Sequence, residues 1–189
     1  MESGARPSSN RSSGNVLAAV DPALAQVLAP PEEPVATGSP DQWQSLEERL
    51  GFRLPSDYKE FISQYGAGVV SEAVWVLSPF DPPGWEGTLE ERLAEHRVTH
   101  EAHRNFFWEP ESMIPWAATD IRGICFWETD SRDPDAWTVC TVIDEEVERW
   151  SDSMTVFLRR VLTGEHLSAV FGDLAQRHEP PFQYGWRHT

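Results

Sequence analysis

The chain has 189 residues, with 31 acidic and 15 basic side chains and a formal net charge of −16 at pH 7. A field of this sign repels nucleic acid and anionic membranes, so it argues against roles that depend on either. The apolar run Val16–Val20 is interrupted by Asp21-Pro22 before a signal-peptide core develops, and no run is long enough to span a bilayer. We therefore expect one cytoplasmic domain with extensions.

Residues 1–40 contain six prolines, clusters of Ser, Gly and Ala, and no aromatic residue. Such a composition buries too little apolar surface to offset the entropy of ordering, which predicts a flexible tail over 1–40 and a folded domain over 41–189. Asp21-Pro22 could open a short helix with an apolar face of Leu24, Val27 and Leu28. Short helices are marginal in water, so we expect this one to be transient.

The segment 46–66 predicts two short helices hinged at Gly51 and Leu54-Pro55. Asp41 is the expected cap of the first helix, and Gly51 suits its left-handed end. Pro55 stops that helix, and Ser56 can cap the second. The second helix carries apolar side chains at helical spacing: Tyr58, Phe61, Ile62 and Tyr65.

Further along, branched and aromatic residues over 69–77 predict one or two strands. A helix is expected from Leu89 to about Asn105, because Thr88 and Glu91 have capping-box spacing. Four more strands are predicted at Met113–Trp116, Gly123–Glu128, Ala136–Ile143 and Glu146–Trp150. A helix over Met154–Thr163 follows, then a C-terminal helix and aromatic tail over 165–189. Helices that bracket a run of strands indicate an α+β fold.

These motifs resemble the SUKH superfamily, which includes fungal cell-wall-synthesis regulators and bacterial immunity proteins. The similarity covers residues 41–164 and departs at the turn 120–123, where relatives often carry Gly-Gly-Asp or Gly-Asn. It rests on an opening block, a strand block and a closing helix: Gly51, Phe52, Leu54, Pro55, Asp57, Tyr58, Phe61, Gly66 and Gly68; Met113–Asp120, Gly123–Trp127 and Ala136–Val139; and Thr155–Gly164. The resemblance implies a single SUKH-like domain with a mostly antiparallel or mixed central sheet flanked by helices.

Signals for catalysis are weak. His96, His100 and His103 share one face of the predicted helix, but the chain has no His-Glu-x-x-His pattern, so a solvated face is expected rather than a metal site. No nucleophile elbow or phosphate-binding loop is present. Cys125 and Cys140 are expected as buried free thiols. We predict a protein that is not an enzyme and needs no metal or cofactor.

The candidate binding residues are acids and tryptophans. Six acids flank two predicted neighbouring strands and could converge into one negative patch: Asp130, Asp133, Asp135, Asp144, Glu145 and Glu146. The alternative interpretation is that these acidic residues only increase the solubility of the protein. Trp85 and Trp108 lie in loop-like surroundings and could anchor an interface or fold back onto the core.

The resemblance implies a non-catalytic protein-binding domain. The arginine-rich, lysine-poor composition suggests a high-GC bacterial source, which favours an immunity protein that neutralises a cognate toxin such as a nuclease. An acidic inhibitor could occupy the basic cleft of such a toxin. The alternative is a regulatory or scaffold module that binds an endogenous protein partner.

Overall fold

The computed structural model describes residues 19–80, 88–103, 112–144, 146–172, 174–176 and 182–183. The helices in these ranges are α1 (Leu24–Val27), α2 (Pro40–Leu50), α3 (Ser56–Tyr65), α4 (Leu89–His103) and α5 (Met154–Leu162). The strands are β1 (Gly68–Val70), β2 (Val74–Val76), β3 (Met113–Thr119), β4 (Ile124–Glu128), β5 (Thr138–Ile143), β6 (Glu146–Trp150) and β7 (Phe182–Gln183). None of the described helices is long and apolar enough to cross a bilayer.

The strands form one open antiparallel sheet in the order β6-β5-β4-β3-β2-β1-β7. Strands β3 to β6 are a meander of hairpins, and β2 joins this meander beside β3 although α4 separates the two in sequence. The α+β fold class predicted from the sequence is confirmed. The four predicted strands after α4 are all present, with small shifts at their ends.

The opening helices form where the sequence predicts them, but their N-termini differ. Ser39, not Asp41, caps α2: its hydroxyl accepts from the Gln42 backbone, and the Gln42 side chain accepts from the Ser39 backbone. Gly51 ends α2 with φ of +78°, as expected for a left-handed cap. Pro55 occupies the N-cap position of α3, so Ser56 is the first helical residue and its polar groups bind another part of the chain.

The segment preceding α2 packs onto the helices. Leu24 and Leu28 are completely buried, and Tyr65 Oη donates to the Leu28 carbonyl at 2.7 Å. Asp21 forms an ion pair with Arg159 of α5 at 2.8 Å. The flexible-tail prediction is therefore wrong for residues 19–40, because leucines without aromatic neighbours in sequence find an apolar surface on the fold. Residues 1–18 lie outside the described part of the chain.

The main core lies between the sheet and the helices. Trp116, Trp127 and Phe157 are fully buried there, and Tyr58 contacts the Trp127 ring with centroids 4.9 Å apart. A buried carboxylate, Asp57, joins α3 to α5: it accepts from the Thr155 backbone N–H at 3.0 Å and from the Thr155 hydroxyl at 3.1 Å. Burial raises the pKa of Asp57, while these hydrogen bonds act in the opposite direction.

Helix α4 begins with the predicted capping box. The Thr88 hydroxyl accepts a hydrogen bond from the Glu91 backbone N–H, and the Glu91 carboxylate accepts one from the Thr88 backbone N–H. The solvated-face prediction is wrong for His96, which is half-buried with its ring 4.8 Å from that of Phe126. The side chains of His100 and His103 are not among those described. Within the described residues, no group of three or more His, Cys, Asp or Glu side chains could hold a metal ion.

The predicted C-terminal helix does not form as such. The chain after α5 makes turns, and the described part of 165–189 contains only a 3₁₀ helix at Leu174–Gln176 and the strand β7. Gly172 has φ of +54°, a left-handed conformation that interrupts a right-handed helix. The segment nevertheless packs on the domain through Val170, Phe171 and Leu174, which are buried, whereas Leu167, expected on the same apolar face, is exposed.

The two cysteines are free and buried, as the sequence predicts. Although they lie on neighbouring strands, Cys125 pairs with Thr141, and Cys140 pairs with Phe126. Because successive residues of a strand point to opposite faces, the two thiols lie on opposite sides of the sheet. A disulfide between them is therefore sterically excluded in this fold.

Candidate protein-binding surface

The acids of the β4–β5 connection are partly committed to holding the fold. The Asp135 carboxylate accepts from the Ser56 backbone N–H at 2.6 Å and from the Ser56 hydroxyl at 3.0 Å, which anchors the start of α3. Asp133 accepts from the Asp135 backbone N–H at 3.2 Å and so caps the short 3₁₀ helix Pro134–Ala136. Asp130 is exposed on this connection. Asp135 thus acts as a structural acid, whereas Asp130 is accessible to a partner.

The remaining predicted acids lie at the other end of β5. Asp144 and Glu146 are both exposed and flank the β5–β6 turn, and Glu145 lies outside the described residues. The six residues of β5 separate this turn from the β4–β5 connection by about 20 Å, at about 3.4 Å per residue. The expectation that all six acids form one patch is therefore wrong. The β4–β5 connection precedes β5 and the β5–β6 turn follows it, so the two lie at opposite ends of the sheet.

A second group of acids, missed in the sequence, surrounds Asp144. The β1–β2, β3–β4 and β5–β6 turns all lie at the same end of the sheet, and the Asp120 backbone N–H donates to the Ala73 carbonyl at 3.0 Å between two of them. We call this surface the hairpin-turn end and define it by its exposed residues: Glu72, Asp120, Ile121, Arg122, Asp144 and Glu146. It contains four acids and one base.

The hairpin-turn end has an unusual backbone. Arg122 and Asp144 have positive φ angles of +68° and +52°, and Ser71 and Glu72 in the first turn have +48° and +55°. Tight hairpins favour this left-handed conformation because it matches the twist of the flanking strands. Alternating strands broken by short polar turns were a sequence signal for these hairpins. The sequence does not show that turns separated by about 20 to 70 residues share one surface.

The two tryptophans predicted as interface anchors cannot be placed. Trp85 and Trp108 both lie outside the described residues. Their role as interface anchors stays a prediction.

The described residues do not assemble a recognisable catalytic group. His166 lies 2.6 Å from the Asp152 carboxylate through Nε2, but within the described part of the chain no Ser, Thr or Cys side chain hydrogen-bonds its ring. Burial raises the pKa of Cys140 to about 12 and that of Cys125 well above its usual value, so neither is a thiolate at neutral pH. Among the described residues, what this surface offers chemically is the charge of its exposed acids.

Comparison with known families is consistent with this conclusion. A family model described as the SMI1 / KNR4 family (SUKH-1) matches residues 37–160, about two thirds of the chain. The chain belongs to the SMI1/KNR4 family. The resemblance drawn from the opening and strand motifs is thus confirmed, and domains of this family are generally non-catalytic and interact with proteins. Among curated proteins and among solved structures, nothing matches the chain significantly.

Proposed function

We propose that this SUKH-1 domain is an immunity protein that binds and neutralises a cognate bacterial toxin through an acidic surface. The observation that carries the proposal is the hairpin-turn end, where exposed acids outnumber bases four to one in a family of interaction domains. Of the acids predicted from the sequence, Asp144 and Glu146 are the binding residues on this surface. Asp130 belongs to the distant β4–β5 connection.

Electrostatics supply the physical reason. A protein that cleaves nucleic acid has a basic cleft, because it must neutralise phosphates. An acidic patch on a chain of charge −16 attracts such a cleft over a Debye length of about 8–10 Å, which accelerates encounter and selects against anionic partners. Exposed rim charges contribute mostly to the association rate, with about 1 kcal/mol or less of affinity each.

The test is co-expression with the toxin encoded next to this gene, read as cell survival, together with binding kinetics at low and high salt. Neutralising Asp144→Asn with Glu146→Gln should slow association several-fold and flatten its salt dependence. Asn tolerates the left-handed backbone of position 144. The matched control neutralises two acids at the opposite end, Asp130→Asn with Asp133→Asn, and should leave both properties unchanged.

A chain that neither binds the neighbouring product nor protects cells would contradict the immunity function. Wild-type protection with equal kinetics in both double variants would retain immunity but reject the hairpin-turn end as its acidic surface.

A regulatory or scaffold role remains the second candidate, because the SMI1/KNR4 family itself includes regulators. An isolated gene without a neighbouring toxin, and an endogenous partner recovered with the same acid dependence, would favour it over immunity.

A further inference from the structure

One face of the sheet carries a continuous apolar row. Residues paired directly across neighbouring antiparallel strands point to the same face. Following the pairs from β1 to β6 gives six apolar side chains in one line: Val69, Trp75, Ala118, Ile124, Val142 and Val147. This line runs beside the hairpin-turn end, because Ile124 and Val142 are each within two residues of a turn.

The row lies on the face opposite the main core. Trp127, which contacts Tyr58 of α3, is three positions from Ile124 on the same strand, so their side chains point to opposite faces. On the row's own face, the adjacent line contains Phe126, and the His96 ring of α4 lies against it. Helix α4 therefore contacts this face of the sheet at Phe126, in the line of residues next to the apolar row.

The centre of the row remains accessible to solvent. Ile124 is 37% exposed and Ala118 is half-buried. Ile121, in the turn immediately before Ile124, is 42% exposed. Beyond this apolar centre lie the acids Asp120 and Asp144 of the hairpin-turn end, whereas Glu146 pairs with Ile143 and points to the opposite face of the sheet. An apolar centre with a charged rim is the usual composition of a protein interface.

We propose that this surface is the docking site for the partner, with Ile121 and Ile124 as the apolar anchors and Asp120 and Asp144 as the rim. The inference rests on the proposed function and deepens it by naming the contact surface. The occupant is a cationic protein surface that presents an apolar side chain between Lys or Arg residues.

Charge selects this occupant over a second copy of the chain. A symmetric dimer through this face would be isologous, so each acidic rim would approach its own counterpart. The bases nearby do not reverse the sign of the surface, since Arg149 pairs with Glu128 at 2.8 Å and Arg122 stands among four acids. A cationic partner removes the repulsion and gains the apolar contact.

The experiment uses the full chain and the protein encoded next to its gene as the probe. The double variant Ile121→Ser with Ile124→Thr removes both anchors, and threonine keeps the branched shape suited to a strand. We expect the dissociation constant to rise about tenfold or more, mainly through faster dissociation, because buried apolar anchors dominate interface affinity. Since both side chains are exposed, the melting temperature should stay close to that of the wild type.

The matched control is Val27→Thr, since Val27 is 38% exposed on α1 in the helical layer. It should bind as tightly as the wild type. If the control weakens binding as much as the double variant, or if the double variant binds normally while the wild type protects cells, this surface is rejected and the immunity function stands. If the wild type itself neither binds nor protects, the proposed function fails and this surface fails with it. A wild-type dimer that the double variant converts to a monomer would overturn the cationic-partner proposal in favour of a second copy.

Discussion

Replacing Leu24 with alanine tests whether the segment before the family-matched region is a structural part of the domain. Leu24 has no exposed area, and α1 contacts α5. The site cannot collapse freely, because the Asp21–Arg159 ion pair and the Tyr65 hydrogen bond to the Leu28 carbonyl hold the segment on either side. Truncation should therefore leave most of the removed volume as a cavity.

The magnitude follows from that geometry. A completely buried Leu→Ala change costs about 3 kcal/mol, within a usual range of about 2–5. A domain of this size loses about 2–4 °C of melting temperature per kcal/mol, so Leu24→Ala should lower Tm by about 6–12 °C. The exposed neighbour Val27→Ala is the control and should change Tm by about 2 °C or less.

The assay is thermal unfolding followed by circular dichroism, with urea unfolding as an independent measure of the free energy. The urea midpoint should fall without a change in slope. A Leu24→Ala variant whose Tm lies within about 2 °C of the wild type would refute the packing of this segment and restore the flexible-tail interpretation.

Three further outcomes are expected. Burial raises the pKa of Asp57 above its ordinary 3.8, so the folded state retains a proton that the unfolded state has lost, and the contribution of Asp57 to stability should fall as pH rises from about 4. Urea midpoints plotted against pH should therefore contain a downward slope in the wild type that the Asp57→Asn variant lacks. Equal slopes for the two proteins would contradict this. Cys125 and Cys140 should react with a thiol reagent only in denaturant, and fast labelling of the native protein would show that the strands open. Asp135→Ala should lower the free energy of unfolding by about 1–3 kcal/mol in chemical denaturation, because the half-buried Ser56 backbone N–H loses its acceptor. The rate of association with the partner should stay unchanged. Slower association at unchanged stability would show that Asp135 belongs to the binding surface.

Local signals were sufficient for much of this fold. The capping box of α4, the glycine that ends α2 and the alternating strands each depend on residues only a few positions apart, and those elements formed where they were predicted. The closing helix α5 likewise followed from its own apolar spacing. The family resemblance rested on motifs of the same short range.

The sequence-based predictions were wrong where the burial or conformation of a residue depends on a neighbour that is distant in the chain. Leu24 is buried because α5, more than 120 positions away, provides an apolar surface, and composition around Leu24 could not reveal it. His96 is half-buried because Phe126 lies under it. The predicted C-terminal helix is replaced by turns, one of which contains Gly172 with φ of +54°.

The candidate site shows the same division. The sequence by itself determined a strongly acidic domain of the SMI1/KNR4 type, since charge and short motifs add up along the chain without reference to its path. Only the tertiary structure decided that Asp135 holds α3 while Asp144 joins Asp120 on another surface. The physical reason is the antiparallel meander: it sends consecutive connections to opposite ends of the sheet and brings alternate turns together.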